Sequence, residues 1–95
     1  MTLEEWQTTV RSWIGGHGGY FPPQANLLRL VEEVGELSRA INTAHGPKRK
    51  KLGDAAVARE EEIGDCLFVL ACLADQLGLD LEAVATATMQ KMAAR

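Results

Sequence analysis

At 95 residues the chain has room for one domain, residues 1–95, near the size below which a single core needs staples or self-association. The composition, 46% apolar, is that of a globular protein, and the longest apolar run, Cys66 to Ala74, is too short to span a bilayer. The start, Met-Thr-Leu-Glu-Glu-Trp, lacks the basic and apolar segments of a secretion signal, so the expected setting is cytoplasmic, and a net charge of −3 argues against a general nucleic-acid binder.

Thr2 and Glu5 stand at capping-box spacing and predict a first helix over Leu3 to Ile14, on which Trp6, Val10, Trp13 and Ile14 recur at helical steps. The tryptophans read as core or interface residues, with base stacking by one of them as the functional alternative. Gly15, Gly16, Gly18 and Gly19, around His17, then break the helix, because so much glycine costs too much backbone entropy. His17 and His45 read as exposed loop or helix-end residues.

Pro22-Pro23 opens a second helix that should reach about Ala44. Leu27, Leu30, Val31, Val34, Leu37 and Ile41 form its apolar stripe, at roughly 40° to 160° around the axis from Glu33. Glu33 borders that stripe, and Glu32 points further out. Gly46-Pro47 ends the helix, and Lys48-Arg49-Lys50-Lys51 follows as a basic connector, either a solvated link or a clamp for phosphate. Asp54 is the expected N-cap of a third helix over Ala55 to Leu77, apolar almost all round from Cys66 onward, which places it in the middle of a bundle. Cys66 and Cys72 cannot pair within it and read as reduced core residues. Gly78 closes it, and Asp80 caps a fourth helix over Leu81 to Ala93, with Leu81, Val84, Ala85, Thr88 and Met92 facing inward. No strand-like alternation occurs, so the predicted fold is all-α, an antiparallel bundle of four helices.

Two of these helices carry near-copies of one motif, Glu32-Glu33-Val34-Gly35-Glu36 and Glu61-Glu62-Ile63-Gly64-Asp65. In each, the second and third acids lie three residues apart and share a helix face. Side by side, the two helices would gather Glu33, Glu36, Glu62 and Asp65, whose repulsion needs a compensating charge. A set of oxygen donors without Cys or His points to Mg²⁺, with Mn²⁺ as the substitute, in preference to Zn²⁺. Gly35 and Gly64 sit in helix interiors at a cost of roughly 1 kcal/mol each relative to Ala, a sign that the helices approach closely there. Of the thirteen acids six lie in the motifs; the other seven face ten basic residues, a remainder of +3. An acidic knot in a basic frame suits a small polyanion bridged to the carboxylates by metal.

Glu-Glu-x-x-Glu followed by Glu-Glu-x-x-Asp, with the Val-Gly-Glu-Leu and Ile-Gly-Asp-Cys-Leu-Phe contexts and the Trp-containing first helix, resembles the all-α nucleoside triphosphate pyrophosphohydrolases, specifically the MazG-like branch. The resemblance covers most of the chain. It implies that Glu33, Glu36, Glu62 and Asp65 bind Mg²⁺, that Glu32 and Glu61 assist either by supporting those ligands from behind or as water-orienting bases, and that the protein is a homodimer or homotetramer whose pocket is bordered by more than one chain. Many relatives carry an asparagine and a basic residue late in the last helix; here the stretch is Thr88-Met89-Gln90-Lys91, which leaves Lys91 and Arg95 as the candidates.

The expected function is therefore hydrolysis of a nucleoside or deoxynucleoside triphosphate to monophosphate and pyrophosphate, a house-cleaning activity on the nucleotide pool. The expected substrate contacts are Lys48, Arg49, Lys51, Lys91 and Trp6. The alternative from another class is a non-catalytic helical module that binds nucleotide or a partner protein, its acids forming a structural metal site.

Overall fold

The structure is a computed structural model that describes the backbone of residues 1–45 and 52–95 and the side chains outside residues 43–57. The basic connector, Lys48 to Lys51, lies outside the described residues. The fold is all-α: α1 spans Leu3–Gly15, α2 Pro23–His45, α3 Leu52–Gln76 and α4 Leu81–Ala93. Helix α3 starts ahead of the expected cap, so Asp54 falls within its first turn. Among the described residues no helix is long and apolar enough to cross a membrane.

Local chemistry sets the ends. Thr2 and Glu5 form the capping box, the Glu5 N–H donating to Thr2 Oγ1 at 3.0 Å and the Thr2 N–H to Glu5 Oε1 at 3.1 Å. Helix α3 stops at Gly78, whose φ of 71° lies in the left-handed region glycine tolerates, and the Leu79 N–H turns back to the Ala74 carbonyl at 2.8 Å. Asp80 caps α4 by accepting from the Glu82 N–H at 2.9 Å.

The frame is α2 packed antiparallel on α3. Its register shows in three rungs: Asn26 against Gln76, Arg29 over the ring of Phe68, and Glu33 beside Asp65. Helix α1 packs on α3 around Val10, Ala71 and Cys72, with Trp6, Ile14, Tyr20, Phe68 and Leu81 closing the cluster. Helix α4 is held to α1 by the buried amide of Gln7, which donates to the Leu79 carbonyl at 2.8 Å and accepts from the Leu81 N–H at 2.9 Å. Both bonds are made by a side chain only 5% exposed.

The apolar stripes are less covered than periodicity predicts. On α2 the residues turned to α3 are Asn26, Glu33, Leu37 and Ala40, a face centred close to the direction of Glu33 itself. Leu27, Val31, Val34 and Ile41, about 90° further round by helix geometry, remain 41–63% exposed. Periodicity reveals that a face is apolar; it does not say which neighbour covers it. On α3, Ile63, Leu67 and Leu70 are also exposed, and on α4 so are Val84 and Met92, both expected to face inward. The Cα radius of gyration, 15.6 Å, exceeds the roughly 12 Å of a compact chain of this length.

Gly35 and Gly64 depart from expectation as well. A Cβ at either would meet nothing within 4 Å, so close packing of α2 on α3 does not require them. Alanine at each is expected to stabilise the chain by about 0.5–1 kcal/mol through its better helix propensity. A denaturant midpoint that falls instead would show that another surface closes on these positions in solution.

Candidate active site

The duplicated motif meets on the α2–α3 seam. Glu33 on α2 and Glu62 and Asp65 on α3 each bring a carboxylate oxygen within 4.8 Å of the other two. Glu33 and Glu62 are half-buried, Asp65 is exposed, and Glu33 Oε2 and Glu62 Oε2 are sealed from solvent with no hydrogen-bond partner. Buried acceptors are normally paired, because an unpaired one loses its hydration for nothing. Two sealed, unpartnered oxygens beside a third carboxylate are a donor set that a hard divalent cation fits. Glu36 is exposed and outside this triangle, although its charge acts on both Glu33 and Glu62. Glu32 and Glu61 are exposed on the outer sides of their helices.

Electrostatics follow from this crowding. Burial pushes the Glu33 carboxyl above its ordinary range, and the charges of Glu36 and Asp65 push the same way, opposed by Arg29. Glu62 is raised for the same reasons, burial first and then Glu36. Cys66, on the same seam, has its thiol raised by burial and by Glu33, Glu62 and Asp65, which keeps it protonated and inert. A carboxyl raised on folding disfavours the fold once it is ionised. The metal-free protein should therefore gain stability as pH falls from neutral through the raised Glu33 and Glu62 values towards the ordinary carboxylate range, and lose it as pH rises. Thermal melts in chelator between pH 7 and the ordinary carboxylate range (about 4.3 for Glu) would check this, and saturating Mg²⁺ should flatten the dependence.

One turn along the seam from the acids lies a cavity of about 490 Å³, walled by Trp13, His17, Tyr20, Asn26, Arg29 and Phe68 among others. Arg29 precedes Glu33 by four residues and Phe68 follows Asp65 by three, so the cavity and the carboxylates share one strip of the α2–α3 pair. His17 stacks on Trp13, ring centroids 3.8 Å apart and planes 10° from parallel, while Phe68 meets Trp13 edge-on at 5.9 Å. The wall from the glycine connector is tied to the end of α3: Asp75 accepts from the Tyr20 hydroxyl and from Arg11 Nε, both at 2.7 Å, and Gln76 Nε2 donates to the Phe21 carbonyl at 2.5 Å.

Of the two tryptophans, the one at the cavity is Trp13. Trp6 packs on the core cluster with its indole N–H on the Leu67 carbonyl at 3.3 Å, which spends its faces on packing. Lys91 is exposed on α4, a helix anchored to α1, and Lys48, Arg49 and Lys51 fall outside the described residues. Trp13 was one of the two stacking candidates in the sequence, whereas His17, Tyr20, Asn26, Arg29 and Phe68 were missed as cavity residues. Their signal was available in Arg29 and Phe68, each one helical turn from a motif acid.

The chain and its fold are shared with known proteins. The MazG nucleotide pyrophosphohydrolase domain matches residues 21–95, which contain both acidic motifs. The chain is 44% identical to the uncharacterized protein YpjD of Bacillus subtilis (strain 168), over 99% of this chain and 86% of that one, and 38% identical to YvdC of the same organism, over 70% and 68%. Among solved structures, the crystal structure of the Bacillus-conserved MazG protein, a nucleotide pyrophosphohydrolase, superposes with a TM-score of 0.83 at 39% identity, covering 97% of this chain and 90% of that one. The crystal structure of YpjD superposes with a TM-score of 0.86 at 44% identity, covering 96% and 94%. With the match spanning most of the chain and both copies of the acidic motif, the protein belongs to the MazG nucleotide pyrophosphohydrolase family.

Proposed function

We propose that the protein hydrolyses a nucleoside or deoxynucleoside triphosphate to the monophosphate and pyrophosphate in a Mg²⁺-dependent reaction, as a house-cleaning enzyme of the nucleotide pool. The observation that carries this reading is the pair of sealed, unpartnered carboxylate oxygens on Glu33 and Glu62, beside Asp65 and one turn from an aromatic cavity. Glu33, Glu62 and Asp65 would hold the cation, with Glu36 close enough to join through its charge. When bound, Mg²⁺ supplies neutralisation of the triphosphate charge and a lowered pKa for water. The chain's own part is positional: α2 and α3 hold the carboxylates in register, Arg29 offers a cation between them and the cavity, and Glu32 and Glu61, at the outer edge of each motif, orient water. Lys48, Arg49 and Lys51 would act on phosphate by charge if the connector folds over the site, and Lys91 would do so if a second chain brings α4 near it.

We further infer self-association as a homodimer or homotetramer. The stripes of Leu27, Val31, Val34 and Ile41 on α2 and of Ile63, Leu67 and Leu70 on α3 are apolar and uncovered in the single chain, a pattern that marks interaction surfaces. Residues 1–95 would then act as one unit of the assembly.

The test is a screen of common and modified nucleoside triphosphates with and without Mg²⁺, reading monophosphate and pyrophosphate separately, alongside sedimentation at micromolar concentration. Metal-dependent release of pyrophosphate from at least one nucleotide, by a species of at least two chains, is the expected result. Orthophosphate release alone, or binding without turnover, would overturn the hydrolase reading. A folded, active monomer would overturn the assembly.

A further inference from the structure

The family match begins at residue 21, so the acids and Arg29 lie inside it while Trp13, His17 and Tyr20 lie before it. The cavity is thus built from two sources, a matched strip carrying the acids and a wall contributed by the glycine connector. A wall of that kind is where one member of a family differs from another in what it accepts.

Hydrogen-bond direction fixes the polarity of that wall. A main-chain carbonyl can only accept. The Trp13 carbonyl lies 2.6 Å from His17 Nδ1, so that nitrogen carries the hydrogen and the neutral ring keeps Nε2 as an acceptor. The Phe21 carbonyl receives the amide nitrogen of Gln76, which turns Gln76 Oε1 towards Asn26. Asn26 must then present Nδ2 to Gln76, at 2.7 Å, and its Oδ1 is left as the acceptor end of a side chain only 2% exposed that lines the cavity. Two carbonyls, each on a different segment, thereby set both wall residues as acceptors. One turn from Asn26 along α2, towards the acids, stands Arg29, a pure donor and a cation, whose charge reaches Glu33.

We propose that the cavity reads the base of the nucleotide through His17 Nε2 and Asn26 Oδ1, and that it selects bases bearing an exocyclic amino group, cytosine or adenine, over their keto counterparts, uracil and hypoxanthine. The proposal rests on the hydrolase reading for its ligand class. An amino group offers two N–H donors to two acceptors, whereas a keto oxygen would face them as a third acceptor and leave all three unpaired. Trp13, stacked with His17, and Phe68 supply the aromatic walls such a flat ring needs. A volume of about 490 Å³ is within the range of small-molecule sites. With Arg29 lying between Asn26 and Glu33 along α2, a base held at the two acceptors and phosphates held at Arg29 is the orientation that brings the phosphate chain to the carboxylates.

Calorimetric titration of the full chain, in chelator, with CMP, UMP, AMP and IMP tests the base pocket apart from metal and catalysis. CMP and AMP are expected to bind at least about tenfold more tightly than UMP and IMP, the effect of leaving the buried Asn26 acceptor unpaired. His17→Phe keeps a ring against Trp13 but removes the acceptor, and Asn26→Leu removes the other. In either variant the preference should fall towards one, and because His17 is exposed on the connector, His17→Phe remains informative where Asn26→Leu fails to fold. Equal or reversed affinities in the natural protein, no binding of any of the four at millimolar concentration, or an unchanged preference in His17→Phe would overturn the proposal. Amino preference without triphosphate turnover would count against the hydrolase reading and leave the base assignment standing.

Discussion

Replacing Glu33 with Gln is expected to reduce metal-dependent hydrolysis by on the order of 10³-fold, since a ligand oxygen worth several kcal/mol of charge stabilisation is lost at roughly 1.4 kcal/mol per factor of ten. The same substitution should raise the stability of the metal-free fold. Glu33 ionises against burial and against the charges of Glu36 and Asp65, so a neutral side chain of the same shape removes an unfavourable charge. The two effects have opposite sign, which separates a ligand from a merely structural residue. Turnover and chelator melts on the same preparation measure both. Turnover within tenfold of the natural protein would remove Glu33 from the ligand set, and a lower melting temperature in chelator would contradict the account of its charge.

Asp75→Ala should have the largest effect outside the acid cluster. The Asp75 side chain, 14% exposed, accepts from Arg11 and from the Tyr20 hydroxyl and thereby ties α1 and the connector to the end of α3. Its loss leaves Tyr20 without its partner at a cost of about 1–3 kcal/mol, a fall in melting temperature of roughly 4–8 °C for each kcal/mol in a domain of this size. The bond to Arg11 holds the Asp75 carboxyl below its ordinary range. That contribution is present above the unfolded Asp range and is lost as pH falls through the lowered value, so the gap between natural protein and variant should close in acid. Because Tyr20 walls the cavity, the variant should also raise KM for the nucleotide. An unchanged melting temperature at neutral pH would show that the network contributes nothing.

What was legible in the chain was whatever a single helix encodes. Thr2, Glu5 and Asp80 act on amides two or three residues away, so their caps could be read directly. Glu62 and Asp65 share a turn, and the second copy of their motif identified Glu33 as their neighbour; Glu36, at the same spacing from Glu33, acts on Glu62 from outside the triangle. The cavity was not legible, since Trp13 and Phe68 meet only through the packing of α1 on α3. Nor were Gln7 and Asn26. A polar amide is buried only where distant partners answer it, and those of Gln7 lie 72 and 74 residues away.

That separation bears on the order in which the molecule can be made. Gln7 is synthesised 72 and 74 residues before the Leu79 carbonyl and the Leu81 N–H that complete its bonds, and Glu4 is likewise made well ahead of the Glu82 carboxylate that receives its N–H at 3.1 Å. On the ribosome α1 must wait, the Gln7 amide hydrated, until the start of α4 has cleared the exit tunnel. Closure of this long loop is thus deferred until the other helices are made, and its entropy cost falls late. A nascent chain halted before Leu79 would carry both acidic motifs and still lack the clasp that fastens α1 to α4.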